Sequence, residues 1–559
     1  MRLLLTFTLI FIVLMMYQAW QDDYGTKPSS TLGTPTSNFG TPTSTLETPT
    51  VTSSADSESE LPNLQESQVG PVDFPMRQLL PSESPISVET DVLKLKIDMT
   101  GGDVRQLDLL DYPVEMKTPE NPFRLMNDEL PNFFVAQSGL LSKDSAPTHQ
   151  AVYQAKHQNY RLMDGSDNLE VKLYWEDKEK GIKVTKVYSF QRGSYVIDVK
   201  YLVENNSDKP WQGRLYGQFQ RTEANLGGSR FLYTYMGGAI SSPDNRYDKI
   251  PFDEMRDASF KEEYRTGWKN GWAAMLQHYF VSAWVPEREQ IYSYYARMLT
   301  MGNRHILGLY GPTQSVAPHS QQTLSITLYA GPKLQNKLAE LAPSLDLTVD
   351  YGWLWFIAQP LFWMLDTIHD IVGNWGWAII ILTILIKLAF FQLSATSYKS
   401  MANMRRMQPR LVTLKERYGD DKARLNQAMM ELYKKEKINP LSGCLPIVVQ
   451  IPVFIALYWV LLESVELRQA SFIFWLDDLS SPDRFFILPL IMGATMLGQH
   501  FLNPAPIDPI QQKVMLALPI VFTVFFAFFP SGLVLYWTVN NILSISQQWV
   551  ITKKIAGDV

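Results

Sequence analysis

The chain is 559 residues long, 46% hydrophobic and 19% charged, with a formal net charge of −6 and one cysteine, Cys444. That length is too great for a single hydrophobic core, and one cysteine excludes a disulfide framework and a cysteine-based metal site. The net charge says little about partners because it is segregated: residues 21–350 are polar and mixed, whereas 351–551 hold one apolar run after another, the composition of a membrane domain.

The N-terminus, MRLLLTFTLIFIVLMMYQAW, places Arg2 before a run of about fifteen apolar residues and Asp22 and Asp23 after it. No small-x-small cleavage site comes after the run, so 1–21 reads as a retained signal-anchor transmembrane helix rather than a cleaved signal peptide. By the positive-inside rule the N-terminus stays in the cytoplasm and the chain beyond the anchor is exported. Residues 22–84 are rich in Ser, Thr and Pro, with a seven-residue echo at Gly33-Thr-Pro-Thr-Ser and Gly40-Thr-Pro-Thr-Ser. A proline in every unit forbids a coiled coil, and the segment reads as a disordered linker.

Residues 85–346 carry strand signals. Leu93, Leu95, Ile97 and Met99 alternate with Lys94, Lys96 and Asp98, the period of a half-buried strand. Segments 182–190 and 195–203 flank Arg192-Gly193 as a hairpin, and 323–329 forms a late strand. The expectation is a large antiparallel β-sandwich, closed by a helix over 333–341 that packs Leu334, Leu338 and Leu341 on the sheet edge. His149, His157 and His278 are scattered and no Gly-rich phosphate loop is present, so the domain reads as structural. An open sandwich face for a peptide or a sugar is the rival reading.

Residues 347–376 crowd Trp353, Trp355, Trp363 and Trp375, with Trp377 just beyond, into a stretch interrupted by Pro360, Asp366, His369 and Asp370. This reads as an interfacial amphipathic helix rather than a full span. Five spans come next, at 377–393, 445–462, 485–502, 514–529 and 532–551. The first lies in a transmembrane segment 377–398 and the others in 441–551, with a cytoplasmic tail at 552–559. Several have 16 to 18 apolar residues, against roughly 20 for a bilayer core, which predicts tilt or local thinning. Residues 399–439 carry eleven Lys or Arg against five acids and are therefore cytoplasmic. Met404, Met407, Leu411 and Leu414, then Leu425, Met429 and Leu432, make 399–440 a basic helical hairpin broken at Tyr418-Gly-Asp-Asp. Its basic face is either solvated near anionic lipid or a contact for ribosomal RNA or a targeting receptor.

Lys387 interrupts the apolar run IIILTILIKLAFF. A charge at mid-span costs about 2.5 to 3.5 kcal/mol, outweighed by the surrounding apolar residues. It lies about 15 Å below Trp377 and about 18 Å above Lys399, too deep to snorkel fully. No acid lies inside the five spans. Neutral polar residues do: Thr383, Gln450, Thr495, Gln499, Tyr536 and the stripe Asn540, Ser544, Gln547. They are read as the wall of a wet, positively charged cavity that draws acidic segments of other proteins into the bilayer. Ordinary interhelical hydrogen bonding is the plainer reading for each residue alone. A transporter would need a carboxylate relay or an inverted repeat, and neither is present in the sequence.

The runs Asp350-Tyr-Gly-Trp-Leu-Trp-Phe-Ile-Ala-Gln-Pro-Leu-Phe, Asn439-Pro-Leu-Ser-Gly-Cys-Leu-Pro-Ile-Val-Val-Gln-Ile-Pro-Val-Phe-Ile-Ala-Leu-Tyr and Phe529-Pro-Ser-Gly-Leu-Val-Leu-Tyr-Trp closely resemble the YidC/Oxa/Alb family of membrane protein insertases in its Gram-negative form. Val88-Glu-Thr-Asp-Val-Leu and Thr100-Gly-Gly-Asp-Val extend the likeness to the exported part. The resemblance implies a polytopic α-helical membrane protein with six transmembrane helices, five of them an insertase core, and a periplasmic antiparallel β-super-sandwich. It implies a bacterial inner-membrane location with both termini cytoplasmic and residues 22–350 periplasmic. The activity implied is insertion and folding of inner-membrane proteins, not enzymatic, without cofactor, metal or small-molecule substrate. Implied partners are nascent membrane proteins, the Sec translocon (SecYEG, SecDF), the ribosome, the signal-recognition-particle receptor and the phospholipid bilayer.

The family's groove carries an arginine where this chain has Lys387, which keeps the charge and loses the planar five-donor fork. A simple electrostatic role is the consequence. Thr383 and Trp537 match client-contacting positions, and Gln450, Tyr536, Asn540 and Gln499 complete the groove. Pro452 and Gly443 are structural, and Arg405, Arg406, Arg410, Lys415 and Arg417 are the ribosome or targeting contacts.

Overall fold

The computed structural model describes residues 85–223, 234–256, 263–299, 302–418, 421–436, 445–503 and 509–557. Residues 1–21 and 22–84, expected as a signal anchor and a linker, and Gly443 lie outside the described residues.

Residues 85–332 build two sheets. The ten-stranded one has a central path Ser293–Leu299, Arg304–Tyr310, Trp211–Thr222, Phe134–Ser142, Val104–Pro113, Leu93–Ile97, Ile86–Glu89 and Asn159–Arg161. The nine-stranded one centres on Ser320–Pro332, Val196–Asn205 and Ile182–Gln191. Among the described strands only Ile86–Glu89 with Asn159–Arg161 pairs in parallel. The hairpin about Arg192-Gly193 is present, with Gly193 supplying the positive φ of its turn. Leu93, Leu95 and Ile97 are buried and Lys94 and Lys96 exposed. The alternation ends there, because pairing with Val104–Pro113 slips register between Lys96 and Ile97. Asp98, expected outside, turns inward to lie 3.8 Å from Arg105 and to accept from the Thr100 amide at 2.8 Å.

The sheets pack face to face. Gly217 of one leaves room for Trp284 of the other: a Cβ there would meet the indole at 2.9 Å. Trp284 Nε1 donates to the Gln218 carbonyl at 3.0 Å. The core also holds a lysine. Lys186 Nζ donates to the carbonyls of Gly101 (3.0 Å) and Ser138 (3.2 Å), between the rings of Tyr188 and Tyr201, each 5.3 Å away. Burial pushes its ammonium down to about 7 and the carboxyl of nearby Asp103 up to about 6. The Thr100-Gly-Gly-Asp-Val motif therefore works inside the sandwich: left-handed Gly101 and Gly102 turn backbone carbonyls toward the buried polar groups.

Helix α1 (Gln335–Leu341) closes the β part, with Leu338 fully buried and Leu334 and Leu341 packed beside it. Next comes a junction with the helical half. Lys333 Nζ lies 3.9 Å from Glu463 Oε2, with side chains 2% and 5% exposed. His278, protonated at Nε2, donates to the Leu462 carbonyl at 2.9 Å. Arg468 and Gln469 donate to the Pro113 carbonyl at 2.7 and 3.0 Å.

The helical half comprises α2 (Trp355–Val372), α3 (Trp375–Ala389), α4 (Phe391–Tyr418), α5 (Lys422–Lys435), α6 (Leu445–Glu463), α7 (Ile487–Leu502), α8 (Pro509–Phe526) and α9 (Ser531–Gly557). α2 buries Ala358, Leu361, Phe362 and Leu365 against its neighbours and exposes Trp355, Phe356 and Trp363. α4 and α5 form the basic pair, joined by Arg410 to Glu436 at 2.7 Å, and the Asp421 side chain caps α5. The expected continuous span 377–393 is corrected: α3 stops at Ala389, and α4 leaves it at an angle of 68°. Among the described residues no single helix is long and apolar enough to cross a membrane; the bent pair α3–α4 passes by length and composition.

Candidate functional site: a polar seam around Lys387

Asn374 starts α3 by accepting from the amides of Gly376 (3.0 Å) and Trp377 (3.2 Å). The bend after Ala389 ends it one turn past Ile386. Lys387 therefore stands in the last turn of a short helix, where the unpaired carbonyls favour a cation, and not mid-way along a long one.

Its Nζ donates to Ser544 Oγ of α9 at 2.8 Å. Ser544 Oγ in turn donates to the Asn540 carbonyl at 2.7 Å, and Gln450 Nε2 of α6 donates to Asn540 Oδ1 at 2.6 Å. α3, α6 and α9 thus meet at one turn of α9, where the Lys387 ammonium and neutral polar groups bond. Beside it opens a small recess lined by Ile386, Lys387, Phe390, Leu393, Ser394 and Gln450. Lys387 is half-buried, and among the described residues no carboxylate lies within ion-pairing distance of it. A cation in this setting repels cations and attracts a mobile anion.

The structure joins Lys387, Gln450 and Asn540, sets Tyr536 beside Gln450, and separates the rest. Thr383 is 1% exposed and its hydroxyl donates to the Ile379 carbonyl of its own helix at 2.6 Å, so it presents no polar group to the opening. Tyr536 is buried, with its hydroxyl beside the Gln450 side chain. Trp537 packs edge-on against Phe454 at 4.5 Å and beside Phe526 at 5.2 Å. Gln499 belongs to α7, whose polar contacts lie on another face of α9: Asn541 donates to Thr495 at 3.2 Å, and Gln548 to the Leu502 carbonyl at 3.2 Å. Pro452 lies inside α6. Arg405, Arg406, Arg410 and Arg417 are exposed, and Lys415 is half-buried. Ser394 and Phe390 were not foreseen at the opening, because the bend that brings them there has no sequence marker. The Lys333–Glu463 pair was missed because its members are 130 residues apart.

Residues 85–364 match the family model described as the YidC periplasmic domain, and 367–558 match the one described as the 60Kd inner membrane protein. A protein of Thioalkalivibrio sulfidiphilus named membrane protein insertase YidC is 49% identical over 99% of this chain and 98% of its own. One of the same name from Nitrosococcus oceani is also 49% identical, with the same coverage. A third, from Alkalilimnicola ehrlichii, is 55% identical over 85% of this chain and 84% of its own. A solved structure described as an active YidC insertase aligns at a TM-score of 0.39 and 18% identity, over 84% of this chain and 92% of that one. With its β-rich exported part, its helical C-terminal half and full-length relatives of that name, the chain belongs to the YidC family of inner-membrane protein insertases.

Proposed function

We propose that the recess beside Lys387 receives the hydrophilic, acidic segment of an incoming membrane protein while its apolar segment partitions into lipid. The observation that carries this reading is a half-buried ammonium bonded to a serine hydroxyl with no carboxylate beside it among the described residues. Such a charge is under-solvated, and an acidic segment restores both its solvation and its counter-charge. In the same reading α3, α6, α7, α8 and α9 are the five core spans and 1–21 the sixth. α3 and α7, with 15 and 16 residues, reach about 22 to 24 Å against a 30 Å hydrocarbon core, so the bilayer is thin where the client enters. The basic α4–α5 pair faces the cytoplasm, both termini lie there, and the β part is periplasmic. The ribosome, the signal-recognition-particle receptor and the Sec translocon are the partners that fit this arrangement, with Arg405, Arg406, Arg410, Lys415 and Arg417 as the targeting face.

Site-specific photocrosslinking to a stalled nascent chain tests the proposal. Probes at positions 450 and 540 are expected to capture the client's hydrophilic segment more strongly than a probe at 363 on the exposed face of α2. Equal capture at all three positions contradicts a localised recess.

A further inference from the structure

We propose that Ser544 is a positioning residue for the Lys387 ammonium, holding it at the wall of the recess so that its remaining donors face the client. This rests on the reading of Lys387 as the group that meets acidic segments.

The Ser544 hydroxyl has one proton and two lone pairs. The proton is committed to the Asn540 carbonyl four residues back on the same helix, at 2.7 Å, which fixes the side-chain rotamer. The lone pairs are thereby aimed off the helix, and Lys387 Nζ donates to the hydroxyl at 2.8 Å. Tyr398 of α4 lies beside the same oxygen. The turn itself is held from a third side by the bond from Gln450 to Asn540 at 2.6 Å. Among the described residues Ser544 is the one side chain that hydrogen-bonds the ammonium.

Without that bond a lysine stem is free over many rotamers, and a charge near the end of its helix swings toward the cytoplasmic surface, away from the recess. With it, the ammonium keeps one place and still offers donors to a single client carboxylate. A compact ammonium lacks the fork that reads carboxylate geometry, so the selection is for charge at that depth and not for a particular acidic side chain.

The full-length protein, reconstituted in vesicles, is tested with two single-span clients that differ only in whether the translocated tail is acidic or neutral. Ser544→Ala is expected to lower insertion of the acidic-tailed client by about tenfold, the worth of one charge-assisted hydrogen bond, and that of the neutral one several-fold less. Ser544→Thr, whose hydroxyl can make the same bond to the helix carbonyl, is expected to restore the acidic client. An equal fall for both clients, or failure of threonine to rescue a protein that remains folded by protease protection, overturns the positioning role. Lys387→Leu is run in parallel: no effect there sinks the reading of Lys387 itself, whereas a loss there with none in Ser544→Ala sinks this inference alone.

Discussion

At the scale of single residues, the charges that matter are those removed from water. Lys387 was legible because a lysine inside an apolar run has few structural uses. Asn540 and Ser544 were legible because they recur at helical spacing on one stripe. What Thr383 does was not: it shares a face with Lys387, but its hydroxyl is used on its own helix. Lys333 and Glu463 gave no signal, since each looks like an ordinary charge at the end of an apolar segment. Their burial makes them consequential. Lys333→Met leaves an unpaired buried carboxylate and is expected to cost about 3–5 kcal/mol, whereas Lys333→Met combined with Glu463→Leu recovers most of it. Thermal unfolding in detergent, read alongside proteolytic release of the β part, measures this; a neutral single variant contradicts the pairing.

Among elements, strands and helices were read where periodicity was undisturbed. The hairpin 182–205 and α1 are examples, because their apolar faces repeat without interruption. The failures have local causes. A register slip at Lys96–Ile97 ended an alternation that the side chains alone continue to Met99. The 68° bend between α3 and α4 falls at Ala389-Phe390-Phe391, where neither glycine nor proline marks a break, so an apolar run was read straight through it. Two substitutions probe how the elements are fixed. Asn374→Ala removes the cap of α3 and the bond from its side-chain amide to the Ser471 carbonyl at 3.0 Å, with an expected loss of about 1 kcal/mol in chemical unfolding. Gly217→Ala forces a methyl against Trp284 and is expected to destabilise the sandwich by about 1–3 kcal/mol, seen as a lower midpoint in tryptophan fluorescence.

For the whole molecule, the β part and the helical half are joined at the end of α6, the helix whose other end carries Gln450 into the seam. His278 makes this junction sensitive to pH. Burial, with Lys333 and Arg468 nearby, pushes its imidazole down to about 4. Because that value lies below the usual one near 6.5, the neutral ring favours the joined state. That stability is complete above about pH 6.5 and is lost as the pH falls toward 4, at up to about 1.4 kcal/mol per unit. His278→Gln is expected to flatten this slope in proteolytic release of the β part between pH 7 and 4.5; an unchanged slope assigns the sensitivity to other groups. The family resemblance extended across both halves in sequence, but the junction between them depends on contacts that no local pattern encodes.

The most direct test of an uncompensated charge in the recess is the insertion rate of one single-span client carrying zero, one or two acidic residues in its translocated tail, measured in vesicles containing the full-length protein. The rate above that of empty vesicles is expected to rise with each added acid, to keep that rise in Lys387→Arg and to lose it in Lys387→Leu. The same rise in Lys387→Leu as in the wild type would contradict the role assigned to Lys387.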